Sequence, residues 1–272
     1  MLSDIRATKI LVNFATARFF EAQQLNSKTG LSVGGFDRVI SYGPHDIDRN
    51  FRIRNRAVLR SWTGAGYWLW KPYFIRRALS LMNEGEFLLY CDSGSHFIAQ
   101  IEPLIEIALR TGQQILPFEL QLLERSYTKR DTFILMDCDA PCFVDTHQRL
   151  AGFILLRKSP FTVSFVDEFL HLAQDPRLIT DSRSRLGPDY ADFVAHRHDQ
   201  SIFSLLTKRH GLIAYRDPSQ WGNDSRDEFS TSSYDQLLEL TRKKTFRPDV
   251  LARSWWKQRG RRDYISPSAE AK

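Results

Sequence analysis

The chain has 272 residues, 42% of them hydrophobic and 26% charged, which supports a packed core and excludes a globally disordered protein. Its formal net charge of +6 favours acidic partners: phosphates, nucleic acid or an anionic membrane face. Three cysteines, Cys91, Cys138 and Cys142, are too few for a disulfide framework, and no second pair completes a structural zinc site around Cys138 and Cys142. A reducing cytoplasm is the expected compartment. The segment MLSDIRATKILVNFAT lacks the apolar core of a secretory signal, and no run approaches the roughly 18 apolar residues of a membrane span.

In chain order, Ile10 to Phe14 is an apolar run that predicts a buried first strand, and Phe19 to Leu25 predicts a helix. Arg38 to Tyr42 follows the Gly34-Gly35 break as a second strand. Ile47 to Trp62 has Phe51, Val58 and Leu59 between basic residues, which predicts a surface helix. Pro72 suits a first helical turn, and Tyr73 to Met82 continues at helical spacing. Phe87 to Tyr90 predicts a buried strand, Ile98 to Arg110 a helix and Gln114 to Phe118 a strand. A helix starts near Thr128, where Thr-Lys-Arg-Asp imitates a capping box. Ala151 to Leu156 predicts a strand, Phe161 to Ala173 a helix, Asp199 to Lys208 a helix and Leu212 to Tyr215 a strand. Strands alternating with helices predict an α/β fold with helices on both faces of the sheet. The chain turns polar and then basic beyond Gly222, so the expected division is a domain over 1–225 and a basic extension over 226–272.

Ligands of open α/β sheets gather at the carboxyl ends of strands, and Asp92 lies just past such an end. A carboxylate there can hold a hard divalent ion, and Gly94 lets backbone approach a ligand; equally, Asp92 and its serines can simply make a turn. Lys71, flanked by Trp68 and Trp70 at a helix start, offers a phosphate- and base-binding surface; the other reading has both tryptophans in the core and the lysine in solvent. Asp137-Cys138-Asp139 spells Asp-x-Asp at the end of a predicted helix, a second place for metal or a solvated turn. In His196-Arg197-His198-Asp199-Gln200 the last two residues stand at a helix start and suit a polyhydroxyl substrate. The two histidines have spacing that could ligate a metal, and the reading favoured from sequence alone is an Asp N-cap with exposed histidines before it. Phosphate-binding Gly-x-x-x-x-Gly-Lys, dinucleotide-binding Gly-x-Gly-x-x-Gly and hydrolase Gly-x-Ser-x-Gly patterns are missing.

Four segments in this order, Gly-Ala-Gly-Tyr-Trp-Leu-Trp-Lys-Pro (64–72), Leu-Tyr-Cys-Asp-Ser-Gly (89–94), Ala-Gly-Phe-Ile-Leu-Leu-Arg-Lys (151–158) and His-Asp-Gln-Ser-Ile (198–202), resemble bacterial and viral glycosyltransferases of the GT-A fold. The resemblance spans roughly residues 8 to 222 and implies a Rossmann-type mixed sheet. It implies a nucleotide-sugar donor and, as acceptor, a glycan or lipid-linked sugar in polysaccharide biosynthesis. By the same resemblance Asp92 would hold a divalent ion, manganese or magnesium, with Gly94 where a second acid is usual. Ala15, Thr16, Trp70, Lys71, Ser93, Gly94 and Gly152 would line the donor site. Asp199 would bind sugar hydroxyls and Gln200 would lie near the anomeric carbon, as in retaining members such as glycogenin. The late histidine that many GT-A enzymes give to the metal has no counterpart after His210. The segment Asp181 to Asp192 is a polar candidate for a lid.

Two classes of function follow. The first is a hexosyl- or deoxyhexosyltransferase of the cytoplasm, with no nucleic acid partner. The alternative is a basic nucleic-acid- or membrane-surface-binding module without catalysis, drawn from Arg253-Ser254-Trp255-Trp256-Lys257 and Arg259 to Arg262. In the first class that basic end becomes an accessory for peripheral contact with the inner membrane face.

Overall fold

The computed structural model describes residues 7–229, 232–241 and the strand pair 264–265. Strands β1 (Lys9–Phe14), β2 (Arg38–Tyr42) and β3 (Phe87–Cys91) are mutually parallel, with β1 in the middle. The long β6 (His147–Arg157) runs antiparallel between β3 and β5 (Ile115–Leu123). Two-residue strands β7 (Tyr215–Arg216) and β9 (Tyr264–Ile265) close the edges, giving the order β7-β5-β6-β3-β1-β2-β9. A separate pair joins β4 (Ser95–Phe97) to β8 (Leu238–Leu240).

Alternation along the strands builds a core on each face. Ile10, Val12, Leu88, Tyr90, Ile154 and Leu156 point one way. They meet Phe74 and Ile75 of α2 (Trp70–Leu79), Phe165 and Phe169 of α4 (Pro160–Ala173) and Phe203 and Leu206 of α5 (Asp199–Arg209). Leu11, Phe87, Leu89, Leu116, Phe118 and Leu155 point the other way, onto Leu104 and Ile107 of α3 (Glu102–Thr111). The helix α1 (Phe20–Ser32) covers the same side and brings Gly30 against Leu11. This is the α/β sheet with helices on both faces that the strand–helix alternation implies, and antiparallel β6 makes it mixed, as the resemblance implies. No helix among the described residues is long and apolar enough to cross a membrane.

Several elements differ from expectation. The surface helix over 47–62 is two short ones, Arg49–Arg54 and Arg56–Leu59, because Asn55 turns inward to bond Phe51 O and Gln174 Oε1. The helix expected to open at Pro72 opens at Trp70. Strand β6 begins at His147, four residues ahead of Ala151, and the strand over 212–215 shrinks to Tyr215–Arg216. Residues 232–241 of the expected extension enter the fold: Leu237 and Leu238 are buried, and β8 pairs with β4. The basic stretch from Arg242 to Arg262 lies outside the described residues.

The segment Asp181 to Asp192 is tied down. Asp131 Oδ1 accepts from the amides of Arg185 and Leu186, each at 2.8 Å, and Asp189 Oδ1 accepts from the amide of Arg130 at 2.7 Å. His196 belongs to the same fastening. Its Nε2–H donates to Leu178 O at 2.7 Å, and Nδ1 accepts from the Lys129 amide at 3.4 Å. Both nitrogens are used, so the neutral ring is the one that fits. Burial first, then the charges of His198 and Lys129, hold its pKa well below the ordinary 6.5. Below pH 6.5 the unfolded chain therefore binds a proton that the native state refuses, and stability falls as pH falls. The expected loss from this group is at most about 1.4 kcal/mol per pH unit. Urea unfolding at pH 7.5 and pH 5 should show a smaller acid loss in His196→Gln than in wild type, and equal losses would remove His196 from the acid response.

Candidate functional site

The chain reaches β2 on one side of β1 and β3 on the other, so the carboxyl ends of β1 and β3 bound the crevice where an open sheet changes direction. Ala15 and Thr16 follow β1 there, and Asp92 follows β3. Antiparallel β6 brings its early residues to the same edge, so that the Asp92 amide donates to Gly152 O at 2.9 Å.

The first turn of α2 points Lys71 into this edge. Its Nζ lies 2.6 Å from Asp199 Oδ2 and 3.6 Å from Asp92 Oδ1, and donates to Ala151 O at 2.9 Å. The Asp199 contact is short but off the hydrogen-bond axis, so it is chiefly a charge contact. Lys71 is 3% exposed. Burial alone would lower its pKa, but Asp199 and Asp92 outweigh burial and hold it above 10.5. Asp199 is raised above 3.8, by burial first and by Asp92, against the pull of Lys71. The two shifts share one cause: one ammonium serves two carboxylates, and the trio is net negative when all are ionised. Tyr90, two residues before Asp92 on the same strand face, donates its hydroxyl to Asp92 Oδ1 at 2.6 Å. Its own pKa is pushed well above 10, by burial and then by Asp92.

Gln200 stands beside this trio. Its Nε2 donates to Gln148 Oε1 at 2.9 Å, and its Oε1 faces the Ala151 amide at 3.5 Å. The fully buried Gln148 is held by Tyr127 O, Thr128 Oγ1 and Ser201 Oγ. One peptide unit of β6 thus meets Gln200 and another meets Lys71. Gly152 lies under Asp92: a Cβ there would stand 3.3 Å from Asp92 Oδ2.

The fold therefore gathers Lys71, Asp92, Gly152, Asp199 and Gln200. Other predicted residues are at the edge in packing roles. Trp70 stacks on Phe14 with ring centroids 3.8 Å apart and donates Nε1–H to Gly64 O, so it braces the loop before α2. Ser93 gives its hydroxyl to Phe14 O at 2.6 Å, joining the ends of β1 and β3. Ala15 is buried with its amide on Tyr42 O, while Thr16 is half-buried and makes no side-chain cap bond. The carbonyl of Gly94 accepts from the Thr241 amide. The Lys71 amide is already bonded to Trp68 O, so it is not a free helix-start donor. Sequence reasoning missed Tyr90, Gln148 and Ala151; only Tyr90 carried a signal, its i, i+2 spacing from Asp92.

Asp137-Cys138-Asp139 lies apart from this site as a structural clamp. Asp139 pairs with Arg130 at 2.7 Å and accepts from Tyr190 Oη at 2.8 Å. The histidine pair is likewise committed, since His198 Nδ1–H donates to Ile179 O at 2.9 Å.

Backbone strain gathers at the same place, with one further case, Asp137 at φ 55°, in the clamp apart from it. Ala65, Tyr67, Trp68 and His198 all have φ between 52° and 58°, the left-handed region that costs about 1–2 kcal/mol per non-glycine residue. Trp68 stacks on His198 with centroids 5.3 Å apart. The two strained segments thus touch, and each leads within three residues to a member of the trio, Lys71 or Asp199. Strain of this kind persists where surrounding structure over-determines it, commonly at functional sites.

No group of three or more metal-ligating side chains forms among the described residues. Asp92 nonetheless suits an ion that arrives with phosphate. Its side chain is 41% exposed, and its Oδ2 makes no hydrogen bond to the described residues. Magnesium-like ions commonly take one or two carboxylates and complete their shell with substrate phosphates and water.

No family model and no curated sequence matches the chain. Solved structures do resemble it. Galactosyltransferase LgtC, in complex with donor and acceptor sugar analogues, aligns at a TM-score of 0.48 and 11% identity, over 92% of this chain and 95% of that one. Mouse xyloside xylosyltransferase 1 in its apo form aligns at 0.46 and 11% identity, over 86% and 97%. The apo bifunctional glycosyltransferase WbbM aligns at 0.45 and 10% identity, and there the match spans 76% of this chain and 38% of the other. At these scores the likeness carries no argument about the reaction.

The trio predicts a measurable coupling. Lys71→Met leaves two carboxylates facing each other with no cation, and should destabilise the protein by roughly 3–5 kcal/mol in urea unfolding. Adding Asp199→Asn should restore most of that loss. A single-variant loss no greater than an exposed pair gives, about 0–1 kcal/mol, would show that the contact does not hold the site together.

Proposed function

We propose that the chain is a glycosyltransferase that moves a sugar from a nucleoside-diphosphate donor to a glycan or lipid-linked acceptor, with retention at the anomeric carbon. The observation that carries this reading is the Lys71–Asp92–Asp199 trio at the crevice between β1 and β3. The order of the four sequence segments supports it, since three of them supply the trio and the fourth supplies Ala151 and Gly152.

The reaction breaks the bond from the anomeric carbon to the diphosphate, and its electron pair leaves with the diphosphate. The acceptor oxygen bonds to that carbon, and its proton passes to the departing diphosphate. A divalent ion, manganese or magnesium, held by Asp92 with the phosphate oxygens would neutralise the charge that develops there. The protein's own residues set the geometry. Tyr90 and Lys71 hold Asp92 from behind and leave its other oxygen toward the crevice. Lys71 is enclosed by protein acceptors, so it acts as the counter-ion that spaces Asp92 from Asp199, not as a mobile phosphate ligand. Gly152 leaves clear the space beside Asp92 Oδ2 that a side chain would crowd. Asp199, buried against Lys71, and Gln200, bonded to Gln148, stand at the start of α5 and would have to turn outward to meet sugar hydroxyls and the anomeric carbon. Preorganised groups of this kind accelerate a step only as far as they favour its transition state over its ground state. A lipid-linked acceptor would place the reaction on the cytoplasmic side, at the inner membrane face.

The test is a thermal-shift screen of nucleoside diphosphates and nucleotide sugars, with manganese and with chelator. At least one nucleoside diphosphate should raise Tm, more strongly with manganese. Asp92→Asn should remove the manganese-dependent part, and Asp92→Ala should abolish transfer or donor hydrolysis while keeping the fold. If no nucleoside diphosphate shifts the wild-type protein and no donor is turned over, the proposal is wrong. An active Asp92→Ala protein would remove Asp92 from the mechanism.

A further inference from the structure

A second surface has no part in that chemistry. The two short helices Arg49–Arg54 and Arg56–Leu59 bury Phe51, Asn55 and Val58 at spacings of four and three residues. Their outer side carries Arg49, Arg52, Arg54, Arg56 and Arg60, all exposed. None of the five has a carboxylate partner among the described residues. Arg52 bonds the carbonyls of Pro44 and Ile47. The nearest acid in sequence, Asp48, gives its side chain to the amides of Asn50 and Phe51 as a helix cap. Two apolar side chains stand out among these arginines. Ile53 is 55% exposed, and Trp62, in the turn that follows, is 99% exposed.

We propose that this face, from Arg49 to Trp62, docks the protein on an anionic lipid bilayer. Juxtaposed arginines are drawn to anionic headgroups, and the attraction grows with each basic residue near the surface. Tryptophan prefers the interface, where its ring meets acyl chains and its N–H meets water. An exposed isoleucine between arginines gains from an acyl boundary and has no comparable use against a nucleic-acid backbone, so the bilayer is the partner that fits. Position agrees with this chemistry. The segment follows the carboxyl end of β2, and it runs from Trp62 directly into the strained loop that delivers Lys71. It is held to α2 as well, through Asp48 N–H to Tyr73 Oη and Arg77 Nη1–H to Asp46 O. Docking here sets the crevice at the membrane, whether or not the sugar-transfer reading holds.

The experiment uses the full chain and vesicles of phosphatidylcholine alone or mixed with phosphatidylglycerol. Wild type should sediment with the anionic vesicles and not with the neutral ones, and binding should weaken with salt. Arg49→Ala/Arg54→Ala/Arg56→Ala should lose about a hundredfold in partitioning, by the roughly additive contribution of surface arginines. Brominated lipid should quench part of the tryptophan emission in wild type and not in Trp62→Phe. All the substituted side chains are exposed, and unchanged unfolding midpoints will confirm that the variants fold. Three results would overturn the proposal: no binding of wild type to anionic vesicles, undiminished binding by the arginine variant, which would move the contact to another part of the chain, or binding of oligonucleotides in place of vesicles.

Discussion

A single buried ammonium organises the crevice edge of this protein. Lys71 comes from α2, Asp92 from the end of β3, Ala151 from β6 and Asp199 from the start of α5, and all meet at its Nζ. Four elements separated in sequence are thereby fixed relative to one another by one side chain. Removing such a charge from water is expensive, and it is tolerated only where acceptors surround it. The acceptors are two carboxylates and a carbonyl, so the charge is more than answered. The surplus negative charge rests on Asp92, the member with the most solvent contact. The site is thus held together by contacts within the protein, with its surplus charge on the solvent side.

The geometry also explains which side chains the edge can spare. Ser93 and Trp70 look like ligands in sequence because they flank the right residues. In the fold their polar atoms are spent on the carbonyls of Phe14 and Gly64. Those bonds tie the end of β1 to the turn after β3, and the loop before α2 to the first residue of that helix. The positions of Asp92 and Lys71 depend on both. Support and function occupy adjacent positions in the chain, so adjacency to a motif is a poor guide to contact with a ligand.

Much of the frame was legible in the sequence, for a physical reason. Ile10 to Phe14, Phe87 to Tyr90 and Ala151 to Leu156 are apolar runs too short for helices, and strands buried on both faces leave that mark. Strands β4 and β8 left none, because each has three residues and exists through a pairing across more than 140 positions. The break at Asn55 was hidden for a similar reason: its amide is satisfied by Gln174, on a distant helix end. At the site, Asp92, Lys71, Asp199 and Gln200 could be picked out by type and place. The role of Lys71 could not. A lysine at a helix start suggests a free cation for phosphate, and its burial is decided by Ala151 and Asp199, 80 and 128 residues away. Asp-x-Asp at 137–139 misled in the opposite direction, since Arg130 and Tyr190 turn it into a clamp.

The strained backbone is the other side of the same constraint. For Lys71 to enter the sheet edge from above α2, the chain must turn sharply between Thr63 and Leu69, and five consecutive residues from Gly64 to Trp68 take positive φ. Only two of them are glycine. Gly66 admits no side chain at all, since a Cβ would lie 2.8 Å from the backbone of Leu59. His198 makes the matching turn for Asp199, and its ring closes on Trp68 and Tyr67. Each turn alone is unfavourable. Together they stack against one another, and the buried ion pair they deliver lies immediately beyond. Relaxing either turn would withdraw one charge of that pair and leave the other buried without its partner. Local strain and buried charge therefore hold each other in place at the crevice.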